Sequence, residues 1–559
     1  MRTTRTRPSA ALLALLVAMI ALLAACGGGD NSSDAGDSGG SGVGAAGTDG
    51  RAADAFPATT IFYGSVNIDA ESDGWKKMVE VGSRFPGWSK VVSKFTEELD
   101  GEGEATGVDF GRDIRPWLGG ELAVAVTTLR IDGGEPTPNF VAFAESTDDA
   151  KLEAALTKDG DTKADGEYEG FKLYADAKPP TDGEEPTFAA IGEDALLVAN
   201  DSAALRASID TLTGKGDSLS DADGFADALA KLPSDNMAVA YLDGAQLSQL
   251  IQLASQAAAQ QGVEQAQQAA ALQQQLDLLK AVNGIAMSVG FEDGGARFRG
   301  VATIDADRAD EFGVTESYKP QIGNRVPADA VAYLAFRDLG PTLKRTIDQV
   351  LASQPEAAQQ LQQGEQMLGL SIADDIVPML TGEHAIYVAP GTTPEKVRAA
   401  LVLQPEDVDA SVKVVKQLTA LAGSQLQAPF AATPDGSGQT LETSGQTVLW
   451  HDAGEALAFA VNDPEAGNER GDGITSDEGY KSALDAAGAP DEVGALFYLD
   501  VPGIVELADA AGGDAAAAAA GEAVVDEARA NLAKLGGIVA WQSYADGVAS
   551  GDLFIEIKK

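Results

Sequence analysis

Apolar and polar positions follow two distinct periods along this chain. Alternation of period two predicts strands at Glu121–Thr127, Asn139–Ala144 and Ala195–Ala199. The runs Ile285–Phe291 and Arg297–Ile304 flank Asp293-Gly294-Gly295, and an Asp-Gly turn between such runs predicts a hairpin. Helical spacing appears at Leu343, Ile347, Val350 and Leu351, and again at Val91, Phe95 and Leu99. A Gln-rich stretch places Leu247, Leu250, Ile251 and Ala254, then Ala269, Leu272, Leu276 and Leu279, on one stripe. Gly262 interrupts it and no heptad run follows, so the stripe predicts packing on a sheet rather than a coiled coil. Strand pairs interspersed with helices predict α+β domains, each with a largely antiparallel sheet.

The pattern occurs twice. GVDFGRDIRPWLGGELAVAV (107–126) aligns with GLSIADDIVPMLTGEHAIYV (369–388), pairing Gly107, Asp113, Ile114, Pro116, Leu118, Gly120 and Glu121 with Gly369, Asp375, Ile376, Pro378, Leu380, Gly382 and Glu383. The same offset of 262 residues joins Asn200-Asp201 to Asn462-Asp463. Later anchors keep their order: Tyr241-Leu242-Asp243 meets Tyr498-Leu499-Asp500, and Asp293-Gly294 meets Asp546-Gly547. We read two tandem homologous domains, 53–318 and 319–559. The second copy replaces the Gln-rich stripe with Ala515–Ala520 and Glu522–Leu535. Four strand-like runs end on aspartate, at Asp69, Asp243, Asp338 and Asp500, and after Asp243 and Asp500 a helical pattern begins. That is helix N-cap placement.

Ahead of the first domain, Arg2, Arg5 and Arg7 precede an apolar run over residues 10–25 that closes on Leu23-Ala24-Ala25-Cys26. Sixteen apolar residues fall short of the roughly 20 that span a bilayer. Residues 1–25 therefore read as a cleaved lipoprotein signal peptide, with Cys26, the single cysteine of the chain, as the lipidation site. Residues 26–52 are Gly, Ser and Asp rich and predict a flexible tether with a reach on the order of 30 Å. The expected location is the outer face of the cytoplasmic membrane, held by lipid.

Charge narrows the partners. Removing the leader lowers 39 Lys and Arg to 36 against 86 Asp and Glu, a formal charge of −50. Such a chain repels nucleic acid and gains nothing overall from anionic lipid. Catalytic chemistry is sparse. Only His384 and His451 exist, so a Cys/His metal centre or a thiol nucleophile is not expected, and neither is a cofactor. Asp221-Ala222-Asp223-Gly224 superficially matches a calcium loop, but Leu219 stands where a ligand is required. Ser220 and Thr475 read as helix caps, and Glu121 and Glu383 as equivalent acids at strand starts.

The segments FPATTIFYGSVNID, RFPGWSKVV, GVDFGRDIRPWLGGELAVAV and VPADAVAYLAFRDL together resemble the bacterial family known as domain of unknown function 3352. The resemblance implies secreted or membrane-tethered proteins, common in high-GC Gram-positive bacteria, with no assigned activity or catalytic residues. The expectation is a non-enzymatic scaffold or binding module of the cell envelope. A carrier of lipid or another apolar ligand is the alternative, and a carboxylate-based hydrolase a third.

Overall fold

A computed structural model of the protein describes residues 51–94, 110–132, 135–158, 160–179, 185–259, 280–308, 316–353, 355–391, 393, 396–426, 430–468, 471, 473–510 and 522–559. Cys26, Phe95, Leu99, Ala269–Leu279 and Ala515–Ala520 lie outside them. The chain divides into two units, Met1–Ala309 and Asp310–Lys559. The division precedes the 318/319 boundary read from the sequence for a local reason. Tyr318 N–H donates to Val493 O at 2.9 Å, and Tyr544 N–H donates to Ser317 Oγ at 3.2 Å, so both residues belong to the second unit.

Among the described residues the first unit has ten strands: β1 (Phe62–Asn67), β2 (Leu118–Asp132), β3 (Glu135–Ser146), β4 (Thr162–Tyr168), β5 (Phe171–Asp176), β6 (Phe188–Gly192), β7 (Ala195–Ala199), β8 (Ala238–Asp243), β9 (Val282–Glu292) and β10 (Gly295–Ile304). They pair antiparallel in the order β4-β5-β6-β7-β3-β2-β1-β8-β9-β10. The second unit has β11 (Ala332–Arg337), β12 (Glu383–Ala389), β13 (Arg398–Gln404), β14 (Ala431–Ala432), β15 (Gly438–Thr443), β16 (Gln446–Asp452), β17 (Leu457–Val461), β18 (Ala495–Asp500), β19 (Leu535–Ala545) and β20 (Val548–Ile557). Its order, β14-β15-β16-β17-β13-β12-β11-β18-β19-β20, is the same path drawn again.

Alternation assigns side chains to faces. In the first unit Tyr63, Ala125, Phe143 and Leu197 meet Leu205 and Ile209 of the helix Ser202–Leu212 and Phe225 of the helix Asp223–Leu229. The neighbouring positions Leu122, Val124, Ala142 and Leu196 point the other way, onto Trp117 and onto Leu152 and Leu156 of the helix Asp149–Leu156. Helices thus cover both faces of the central strands. The second unit repeats this, with Tyr333, Tyr387 and Val402 in one core and Leu403, Trp450 and Leu457 in the other, under the helix Val408–Leu426.

Two local features recur at matching places. Cross-strand partners Tyr63 and Tyr241 hold Phe225 edge-on, at centroid distances of 5.4 and 5.0 Å. Tyr333 and Tyr498 hold Tyr480 in the same way, at 6.0 and 5.1 Å. Single π-helical turns occupy Phe110–Ile114 and Ile372–Ile376, each two residues before a proline, Pro116 or Pro378. Glycine also stands where helices leave the sheet, after β8 in the first unit and after β11 in the second: a Cβ on Gly244 would collide with the carbonyl oxygen of Val282, and one on Gly340 with that of Val377. Gly244→Ala is expected to cost about 1–3 kcal/mol, because the obstruction is backbone and has no rotamer to yield. Chemical denaturation checks it; an unchanged midpoint would mean that helix and strand separate freely.

The caps follow the sequence reading only in part. Asp243 Oδ1 accepts from Gln246 N at 2.8 Å, and Asp500 accepts from the backbone N–H of Gly503. Asp338 instead has a positive φ of 58° and accepts from Gly382 N, while Asp69 accepts from Glu71 N and Ser72 caps the helix Asp73–Gly82. Ser220 and Thr475 are not caps. Ser218–Asp221 closes a short 3-10 turn first, so the next helix starts on Ala222, and Asp477 caps Glu478–Ala487 through Tyr480 N.

Candidate functional site

Glu121 and Glu383 are the equivalent acids that the structure places most tellingly. Each sits near the start of the second strand of its unit and reaches back to the first 3-10 turn described in that unit, Arg51–Ala55 or Ile322–Arg325. Glu121 Oε2 accepts from Ala52 N at 3.0 Å, and Glu383 Oε1 accepts from Gln321 N at 2.8 Å and Ile322 N at 3.0 Å. The carboxylates therefore satisfy backbone donors that the turns leave open. Partners this far away in sequence, 69 residues for Ala52 and Glu121, leave no local signal.

The two acids differ in surroundings. Glu121 is 8 % exposed, and its Oε1 has no hydrogen-bond partner among the described residues. Burial, then the nearby carboxylates of Glu145 and Asp54, push its pKa up to about 7 against the pull of the Ala52 N–H. Burial also raises Glu383, opposed by its two backbone donors and the Arg337 guanidinium. A carboxyl raised in the folded state binds its proton more tightly there than in the unfolded chain. Its contribution is fully present below the ordinary carboxyl range and is lost as pH rises towards about 7. Glu121→Gln keeps an acceptor for Ala52 and removes the charge. The variant should match wild type near pH 4 and exceed it by about 1–3 kcal/mol at pH 8. Parallel pH–stability curves for the two proteins would show that Glu121 is not buried as described.

The histidines do not converge. His384 is fully buried opposite Leu403, with Nε2 2.9 Å from Leu380 O and the Phe336 ring edge-on at 5.5 Å; burial holds its pKa below the usual imidazole value. His451 is buried on the other face of the sheet, opposite Ala458. Asp221 accepts from Ser218 Oγ, and Asp223 opens its helix. Among the described residues no group of three or more His, Cys, Asp or Glu could hold a metal ion.

Two features escaped the sequence reading. Tyr387 Oη donates to Asp463 Oδ2 at 2.7 Å, and the Arg398 guanidinium lies 3.5 Å from the same buried carboxylate. The recurring Asn-Asp pair signalled this position, but its role changes between units. Where Tyr387 stands the first unit has Ala125, and the equivalent Asp201 caps the helix Ser202–Leu212. The second feature is a cleft of about 560 Å³ between the helix Asp73–Gly82 and the β9–β10 turn. Lys76, Lys77, Glu80, Asp235, Asp293 and Arg297 line it, and Lys77 pairs with both Glu80 and Asp293. Its lining is charged, unlike an acyl-chain cavity.

A family model described as "Protein of unknown function (DUF3352)" matches residues 16–529. The chain belongs to this family. The DUF3352 match runs through most of both units, and the α+β architecture is the one expected from the sequence. Two crystal forms of a protein designated TP0453 are similar to it at 7 % and 9 % identity. The alignments cover 45 % of this chain and 80 % or 78 % of that one, with a TM-score of 0.23 in each. No curated protein matches. No described helix is long and apolar enough to cross a membrane.

Proposed function

We propose that the protein is a lipid-anchored, extracytoplasmic, non-enzymatic scaffold or binding module of the cell envelope, built from two copies of one domain. The lipobox Leu23-Ala24-Ala25-Cys26 and the Gly/Ser/Asp-rich stretch behind it support the anchor and tether. The identical strand order, the paired π turns and the paired ring triads support the duplication. One observation carries the non-enzymatic reading: the recurring acids Glu121, Glu383, Asp243 and Asp500 accept hydrogen bonds from backbone N–H groups instead of converging in a cleft. A carboxylate hydrolase needs two acids aimed at one bond.

The carrier reading keeps one specific support. Directly opposed residues Leu401, Ile386, Leu334, Phe497, Ala540 and Leu553 form an apolar row across six strands of the second unit. All six are partly exposed, and Ile386 is 43 % exposed. Crosslinking in the native envelope, followed by mass spectrometry of captured proteins and extracted lipids, separates the readings. A defined protein partner that rebinds the purified chain fits the module. A single lipid recovered at near-stoichiometric yield would replace it with the carrier.

A further inference from the structure

The formal charge of −47 conceals one basic stretch. Between Asp73 and Lys94 the chain carries Lys76, Lys77, Arg84, Lys90 and Lys94 against Asp73 and Glu80, and in the fold Lys76 pairs with Glu71, Lys77 with Glu80 and Asp293, and Arg84 with Glu80. The stretch is firmly seated. The ring of Trp88 lies where a Cβ on Gly82 would stand, which locks the helical turn beginning at Trp88 against Asp73–Gly82. Arg84 fastens both to the sheet by donating to Asp293 O at 3.1 Å. Beyond Trp88, every residue from Ser89 to Lys94 is exposed, and Val91 and Val92 are 45 % and 43 % exposed between Lys90 and Lys94. Val79, on the preceding helix, is exposed as well. Adjacent valines flanked by lysines on a projecting helical turn suit a bilayer interface, where the aliphatic groups enter the headgroup boundary and the ammonium groups remain at the phosphates.

We propose that Ser89–Lys94 is a second, reversible membrane contact of the first unit, made with anionic phospholipid headgroups. The inference rests on the proposed anchor, which would keep this unit within tether reach of the bilayer. The overall negative charge does not forbid the contact, because charges more than about 8–10 Å from the surface are largely screened at physiological salt. Beyond Lys94 the sequence turns acidic at Glu97, Glu98 and Asp100, so dependence on anionic lipid is the discriminating observation.

The test uses the full chain in vesicles of phosphatidylcholine with or without phosphatidylglycerol. An environment-sensitive fluorophore is placed on Val92→Cys or, as a control, on Asp165→Cys in the exposed part of β4. An acylated Cys26 takes no maleimide, so each variant should carry one label. The probe at 92 is expected to be quenched by a headgroup-level spin label and shielded from iodide only when phosphatidylglycerol is present, with the probe at 165 unaffected. Lys90→Gln and Lys94→Gln should each lower the docked-to-undocked ratio about fivefold. Equal iodide access at 92 and 165 on anionic vesicles would overturn the contact. So would shielding without lipid quenching, which would point to a protein or a second copy. Flotation of wild type against Cys26→Ser reads the anchor separately, since the difference between 92 and 165 is measured on whatever chain is vesicle-bound.

Discussion

Phe225→Ala is expected to loosen the first unit by about 3–5 kcal/mol while leaving the second unit's strands as protected as before. Phe225 is 5 % exposed and stands between two tyrosine rings. Its removal deletes two edge-to-face contacts and leaves a hole that β1 and β8, paired in register through Tyr63 and Tyr241, close poorly. Hydrogen exchange resolved by peptide gives the reading. Protection should fall across Phe62–Asn67 and Ala238–Asp243 and stay unchanged across Ala332–Arg337 and Ala495–Asp500. Tyr480→Ala should produce the mirror result. A uniform loss in both units from either variant would contradict two separate cores of one design.

Cys26→Ser carries the largest expected effect on location. On the proposed reading, two or three acyl chains at about 0.8 kcal/mol per buried CH₂ make attachment effectively permanent. Serine offers no thioether. Detergent phase partition of cell fractions should move the protein out of the detergent phase completely, with folding unaffected because residue 26 precedes Arg51–Ala55, the first described element. Retention in the detergent phase would mean that another part of the chain holds the membrane.

Much of the architecture was legible because alternation and helical spacing report local burial. The run Ala195–Ala199 is β7 to the residue, the Asp293-Gly294 turn joins β9 to β10, and the stripe from Leu343 to Leu351 lies within the helix Leu339–Ser353. What stayed hidden depends on partners distant in sequence. Glu121 reads as a strand residue until Ala52 is brought to it, and the Tyr63–Phe225–Tyr241 triad joins three segments with no common spacing. Ser220 misled for the opposite reason: a favourable capping residue was spent on a side-chain bond to Asp54. Alternation also tells which residues share a face without telling which faces are covered, so the half-exposed row through Ile386 appeared only with the sheet order. Net charge misled likewise, since an average over the chain concealed the basic stretch ending at Lys94.

The measurement that bears most directly on the account is the mass of the N-terminal peptide of the protein isolated from its own envelope. The account predicts a peptide beginning at Cys26 and heavier than its sequence by a diacylglycerol group on sulfur. A peptide that retains residues 1–25, or one containing Cys26 with a free thiol, would contradict it.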